Sequence, residues 1–336
     1  MNDLLTESVE KLLSSCITSD AVRQVEANGY DDALWRLIEQ SGYLDALIPE
    51  TSGGADFTLA DAFPLFLAAG RHALPLPLSH TMLVRAALTA HNIDYPKGPC
   101  AIATQCDSSA DGAIMCRSVP YGRVAQWVVA PRPHGWLVLP TTSAEISDTG
   151  IHGSLKAHLT WRTRPANALY IEHTLAWREI GAVLTAVEMA GAMEHVLATT
   201  VAYANERTQF GRSIGKFQAI QQQLSVMAEH VFAARMAAQL GCCSISFVPH
   251  RLLAAAAKAR VGEAAAVVAP MAHAVHGAMG ITAEYPLQIH TRRLHEGETD
   301  YGSAQYWNRQ MGEAVMASTS GSVLDFVLAE LAPQDA

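Results

Sequence analysis

Two stretches of this chain bring together residue types that do chemistry. The first is RTQFGRSIGKFQAIQQQL, Arg207 to Leu224. It opens on a guanidinium, is punctuated by Gly211 and Gly215, and carries Phe210, Ile214 and Phe217 ahead of a run of glutamines. A guanidinium grips a phosphate through paired hydrogen bonds, and a helix N-terminus favours negative charge. Glycines let backbone N–H groups come close to such an anion. On these residues alone the segment is either an anion cradle at a helix start or a plain connection with a solvated arginine. It is not a P-loop, because only three residues separate Gly211 from Gly215-Lys216 and Phe217 stands where Ser or Thr is required.

The second stretch is HEGETDYG, which offers Glu296, Glu298 and Asp300. A carboxylate can take a proton from carbon if burial raises its pKa toward the working pH. Each of these acids could equally be a solvated surface group. The fourteen histidines lack metal-binding spacing, so no metal site is expected. Six cysteines (16, 100, 106, 116, 242 and 243) show no CxxC pair, so reduced thiols are expected.

These residues need elements to hold them. Of the 336 residues, 50% are hydrophobic and 16% charged, which points to extensive burial, including burial against other subunits. The net charge of −9 without a basic stripe argues against nucleic acid. The apolar residues are dispersed rather than gathered into a run of ~18, so no membrane span is expected. The N-terminus, MNDLLTESVEKLL, is acidic and amphipathic, unlike a secretory signal, and a cytoplasmic location is expected.

The pattern divides into residues 1–95, helical; 96–173, a small β region; and 174–336, helical again. In the first, Leu34, Trp35, Leu37, Ile38 and Leu44 form a helical stripe, and Thr58 with Asp61 reads as a helix start. In the second, AQWVVA and GWLVLP flank a proline–glycine turn, with ALYIEH following. Trp127, Trp136 and Trp161 are expected to pack this sheet. In the third, long small-apolar segments beginning at IGAVL, FQAIQ and HRLLA, then a broken fourth from GSAQYW, suit a tight bundle or an oligomer core.

The motif Arg207-x-x-Phe210-Gly211-x-x-Ile214-x-x-Phe217-Gln218 resembles the signature loop of the flavin-dependent acyl-CoA dehydrogenase family. ALIPETSGGADFTLADA and AVHGAMGITAEYPLQIHTRR resemble that family's N-terminal helical and cofactor segments, in the family's order. The resemblance covers most of the chain. It implies a mainly α fold with a helical N-terminal domain, a β-barrel-like middle domain and a C-terminal four-helix bundle. It also implies FAD at a subunit interface, with Arg207, Gln209, Phe210 and Gln218 on the neighbour's cofactor and His276, Gly277 and Gly280 near adenine and pyrophosphate. Ala274 and Ala278 stand where the family often has Gln and Gly, and CAIATQCDSSADG departs from the segment that embraces the flavin ring.

The family's reaction desaturates an acyl-CoA thioester by α-proton abstraction and β-hydride transfer to flavin, with an electron-transfer flavoprotein as the implied acceptor. Its base is a Glu at one of two places. Counted from Pro286, the first is Tyr301 here; the second falls on Gly181 and Ala182, with Glu179 two residues off. Asp300 and Glu296 are therefore the candidate bases. The short chain and missing Glu resemble the smaller subunits of bacterial heterotetramers that desaturate steroid side-chain CoA esters. Two roles follow: a catalytic subunit, or a non-catalytic partner that clasps FAD in a homo- or hetero-oligomer.

Overall fold

A computed structural model describes residues 2–109 and 112–332. Five helices come first: α1 (Asn2–Cys16), α2 (Ser19–Asn28), α3 (Asp32–Gln40), α4 (Leu59–Arg71) and α5 (Leu78–Ala90). Helix α4 starts where the sequence says it should. The Thr58 hydroxyl accepts from the Asp61 N–H and the Asp61 carboxylate accepts from the Thr58 N–H, which satisfies two helix-start donors reciprocally.

Eight strands follow: β1 (Cys100–Ile102), β2 (Cys106–Ser108), β3 (Ile114–Val119), β4 (Trp127–Arg132), β5 (Gly135–Pro140), β6 (Glu145–Asp148), β7 (Ala157–Trp161) and β8 (Leu169–Ile171). They form two four-stranded sheets, ordered β1-β4-β5-β8 and β2-β3-β7-β6, and only β1 with β4 is parallel. The fold is mainly α with a small β domain, as expected, and among the described residues the two sheets do not close into one barrel.

Side-chain alternation explains why the strands around Trp136 read as unbroken apolar runs. Trp136 and Val138 of β5 join the large core shared with the helices, whereas Leu137 and Leu139 join a second core with Trp161 of the other sheet. A sheet buried on both faces needs apolar residues at every position. Trp136 and Trp161 are fully buried, as packing residues should be. The β4–β5 register runs to Arg132↔Gly135, so Pro131 belongs to the strand rather than to the turn.

The remaining elements are α6 (Trp177–Glu206), a hairpin of β9 (Thr208–Gln209) and β10 (Arg212–Ser213), α7 (Gln218–Gly241), α8 (Arg251–His276), α9 (Leu287–Thr299), α10 (Ala304–Ala317) and α11 (Val323–Glu330). Helix α8 runs through Pro270. By length and composition, Trp177–Glu206 and Arg251–Ile281 are apolar enough to cross a membrane, which the dispersed apolar pattern did not anticipate. The apolar window of the first is 78% buried inside the fold, as a core helix would be.

Helices α4 and α6 touch backbone to backbone. A Cβ on Gly70 would sit 1.9 Å from the Glu188 carbonyl oxygen, and one on Gly191 would sit 2.0 Å from that of Leu67. Neither backbone can yield without parting the helices. Gly191→Val is therefore expected to cost about 3 kcal/mol of stability, read as a lowered urea midpoint. An unchanged midpoint would mean that the helices can separate freely.

Candidate functional site

Arg207 ends α6 and leads into a two-residue hairpin loop, Phe210-Gly211. Both residues have positive φ, 53° and 78°, the combination of a type I′ turn. Glycine adopts it freely, whereas a phenylalanine there is strained by roughly 1–3 kcal/mol. The ring of Phe210 is 91% exposed. Behind it the loop is firmly held. The Ile214 N–H donates to the Arg207 carbonyl at 2.8 Å, Gln221 Nε2 donates to the Gly215 carbonyl at 3.0 Å, and the Arg212 guanidinium lies 4.2 Å from the centre of the Phe217 ring. The side chains of Arg207, Gln209 and Gln218 are exposed and have no hydrogen-bond partner among the described residues. The result is a firmly held loop whose Arg207, Gln209, Phe210 and Gln218 side chains face outward.

The segment 276–281 is arranged differently. Gly277, with φ 58°, is exposed and open on its Cβ side. His276 is only 2% exposed, with Nδ1 at 2.8 Å from the Ala272 carbonyl and Nε2 at 3.2 Å from the Tyr285 hydroxyl. Its ring stacks on Tyr203 at 4.4 Å. Both ring nitrogens of His276 are engaged internally, and burial lowers its pKa. Gly280 is also buried, against His276.

The candidate acids meet inside the molecule. Asp300 and Glu296 line a cavity of about 80 Å³ with Glu188 of α6, Tyr121, Lys156 and Arg293. Lys156 Nζ donates to Asp300 Oδ1 at 2.6 Å and to the Glu296 carbonyl at 3.0 Å. Burial raises the Asp300 pKa, and the Lys156 ammonium partly offsets it. Glu188 accepts from the Ser79 hydroxyl at 2.7 Å and from the Tyr121 hydroxyl at 3.0 Å; burial likewise pushes its pKa up. Sites for small organic ligands start near ~300 Å³. A larger cleft of about 630 Å³ adjoins it through Gly153, Lys156 and Arg292. Arg292 spans that neck, donating to the His152 carbonyl at 2.9 Å, to Glu26 Oε2 at 2.8 Å and to Gln288 Oε1 at 2.7 Å.

The two positions where a base was sought turn out to be neighbours. The Tyr301 ring lies over Gly181 so closely that a Cβ on Gly181 would fall 2.3 Å from it. Tyr301 is fully buried, has φ 55°, and donates its hydroxyl to the Ile102 carbonyl at 2.6 Å. The Ile102 N–H in turn donates to His80 Nδ1 at 3.3 Å. A neutral aromatic plug thus fills the space between α6 and the end of α9. Glu263 is exposed and accepts from Asn308 at 2.8 Å, away from this cavity.

Lys258, fully buried, anchors the turn that carries Tyr301 by donating to the Glu298 and Gly302 carbonyls at 3.1 and 3.0 Å. Burial takes its pKa down to about 8, against the pull of Asp300 and Glu298. An unfolded lysine titrates near ~10.4. Between these values the unfolded chain binds more protons, so stability gained through this residue rises with pH. The unfolding free energy of the native chain, relative to Lys258→Met, should therefore improve by ~1 kcal/mol from about pH 7.5 to about pH 9. A flat difference would overturn this reading.

Glu188, Lys156, His80 and Lys258 escaped the sequence reading. A faint signal existed for two of them: Glu188 stands in the apolar run AVLTAVEMAGAM, and Lys258 in LLAAAAKARVG. A charge amid helical core residues must have a buried partner.

Comparison with known proteins adds the following. The model for "Acyl-CoA dehydrogenase, C-terminal domain" matches residues 176–316. Acyl-CoA dehydrogenase IpdE2 of Mycobacterium tuberculosis (strain ATCC 25618 / H37Rv) is 32% identical over 313 residues, covering 90% of this chain and 91% of that protein. Among solved structures, the ChsE4-ChsE5 complex from Mycobacterium tuberculosis superposes with a TM-score of 0.83 at 20% identity, covering 95% of this chain and 98% of the other. The Tcur3481-Tcur3483 steroid ACAD G363A variant gives 0.80 at 23%, covering 94% and 97%.

Proposed function

The chain belongs to the acyl-CoA dehydrogenase family, and from that premise we propose that it works as the FAD-clasping subunit of a heteromeric acyl-CoA dehydrogenase whose catalytic carboxylate lies on the partner. The observation that carries this reading is the contrast between the two halves of the site. The clasp is preformed and turned outward, with an exposed Phe210 on a strained turn. The chain's own acid cavity is small and holds the Lys156–Asp300 ion pair, and Tyr301 and Gly181 stand packed together at the two places where the family's Glu is missing.

The residues present fit half of a flavin site. Arg207, Gln209, Phe210 and Gln218 would hold a dinucleotide housed mainly by the partner, and Gly277 offers an open backbone position. When bound, FAD supplies the hydride acceptor for desaturation of an acyl-CoA. Arg207 supplies charge for a phosphate, and Phe210 supplies an apolar cover that excludes water. Helix α7 also leaves Phe232 and Met236 in solvent, 60% and 63% exposed and one turn apart, as a face meant for another subunit would be. The steroid ACAD and ChsE4-ChsE5 neighbours support a bulky, steroid-side-chain type of acyl group and a related dehydrogenase chain as partner. An electron-transfer flavoprotein is the proposed electron acceptor.

The test is an absorption spectrum of the chain purified alone and again after co-expression with a second, dehydrogenase-like chain. The expected result is a colourless single chain and a yellow complex that an acyl-CoA bleaches. A single chain that is yellow and bleached by itself would sink the proposal. The base would then be sought with Asp300→Asn and Glu296→Gln.

A further inference from the structure

The hairpin of β2 and β3 carries two cysteines that no part of the flavin chemistry uses. Cys106 and Cys116 are direct cross-strand partners. The Ser109 N–H donates to the Ala113 carbonyl at 3.0 Å, which sets the phase of the ladder. Hydrogen-bonded pairs fall at 109 with 113 and at 107 with 115, so 106 with 116 is a non-hydrogen-bonded pair. Such pairs bring Cα atoms to about 4.5 Å, with both side chains on one face. A disulfide spans Cα separations of about 4.4–6.8 Å, so the backbone need not move to form one.

The two thiols differ in access. β2 is an edge strand and Cys106 on it is half-buried, whereas Cys116 is fully buried in the second core. Arg132 reaches β2 from the other sheet, donating to the Ser108 hydroxyl at 2.6 Å. The Cys116 thiol, by donating to Cys106, and then the Arg132 charge favour the Cys106 thiolate over its ordinary state. Among the other cysteines, Cys100 and Cys242 are fully buried, Cys16 is half-buried, and Cys243 is exposed next to Cys242 in sequence.

We propose that Cys106 and Cys116 form a reversible disulfide, with Cys106 the attacking thiol and Cys116 the resolving one, when the chain meets a hydroperoxide. The Cys106 sulfur attacks one peroxide oxygen; the O–O bond breaks, an alcohol leaves, and Cys106 becomes a sulfenic acid. The Cys116 sulfur then attacks the Cys106 sulfur, and hydroxide departs as water with the Cys116 proton. In total, two thiols are oxidised and ROOH is reduced to ROH and water. The bridge would pin the hairpin that follows β1, and it stands or falls independently of which subunit carries the catalytic base.

The experiment uses the full-length chain, reduced, desalted and treated with hydrogen peroxide. Remaining thiols are alkylated, and the chain is cut with trypsin and an Asp-specific protease. Cleavage at Asp107 parts the two cysteines. The expected product is a linked pair of peptides, two hydrogens lighter than its free halves, with Cys100 alkylated and the link reversed by dithiothreitol. The Cys106 thiol should be lost about tenfold faster than those of Cys100 and Cys242. In Cys116→Ser the sulfenic acid should persist at Cys106 and react with dimedone. The proposal is overturned if Cys106 and Cys116 both stay alkylated while Cys243 oxidises, or if Cys106 links to another cysteine. The linked peptide is read on the native chain, so a poorly folding variant does not blunt the test.

Discussion

Lys156→Met should destabilise the chain by about 3–5 kcal/mol, because it strands the Asp300 carboxylate inside the fold. Lys156 and Asp300 have side chains only 9% and 13% exposed and meet at 2.6 Å. The methionine keeps most of the stem's packing, so the loss reports the missing charge rather than a cavity. Burial remains the main cost to the stranded charge, with Lys258 lowering the Asp300 pKa and Glu296 raising it. The variant's Asp300 should then be protonated in the folded state well above the usual carboxylate range. The unfolded chain takes up that proton only at lower pH, so the folded variant binds more protons at neutral pH and loses stability as pH rises. The gap between native and variant chains, measured by urea unfolding, should accordingly widen from about pH 5 to about pH 8. The double variant Lys156→Met/Asp300→Leu should recover most of the loss, because a pair replaced by apolar groups is close to neutral. A single variant within about 1 kcal/mol of the native chain would mean that the pair does not hold the cavity closed.

Arg207→Ala should weaken flavin retention by the complex roughly 10–100-fold, the equivalent of one charged phosphate contact of about 1.5–3 kcal/mol. The same change should leave the isolated chain's stability alone, since the guanidinium has no partner among the described residues. Phe210→Asn separates the two roles of the clasp more sharply. Asparagine followed by glycine is the favoured occupant of a type I′ turn, so the hairpin should be equally stable or more so. The exposed ring is lost, and flavin should be held roughly tenfold less tightly. Dialysis of the complex followed by absorbance of the retained flavin measures both variants. Native occupancy in Arg207→Ala would remove the clasp from the cofactor site and return the loop to a plain helix connection.

The sequence by itself determined what depends on neighbours a few residues apart. The α4 cap at Thr58 and Asp61, the long apolar helices and the short apolar strands around Trp136 were all legible from local period and turn chemistry. The Arg207–Phe210–Gly211 loop was legible too, because its side chains, turn and following helix lie within one short segment. The inward packing of the His276 ring was not legible, for the converse reason. Its motif position is local, but its partners, Tyr203 and Tyr285, come from another helix and a later loop, and they turn it inward.

The acid cavity was decided only by the tertiary structure. Glu188, Lys156, Asp300 and Ser79 come from four separate elements, and Tyr301 meets Gly181 across a gap that spacing along the chain does not encode. In the sequence Asp300 was one of three acids in a polar stretch, with nothing to distinguish buried from solvated. What selects it is desolvation together with a cation 144 residues away in the chain, and both exist only once α6, α9 and the β sheets have closed around the same small space.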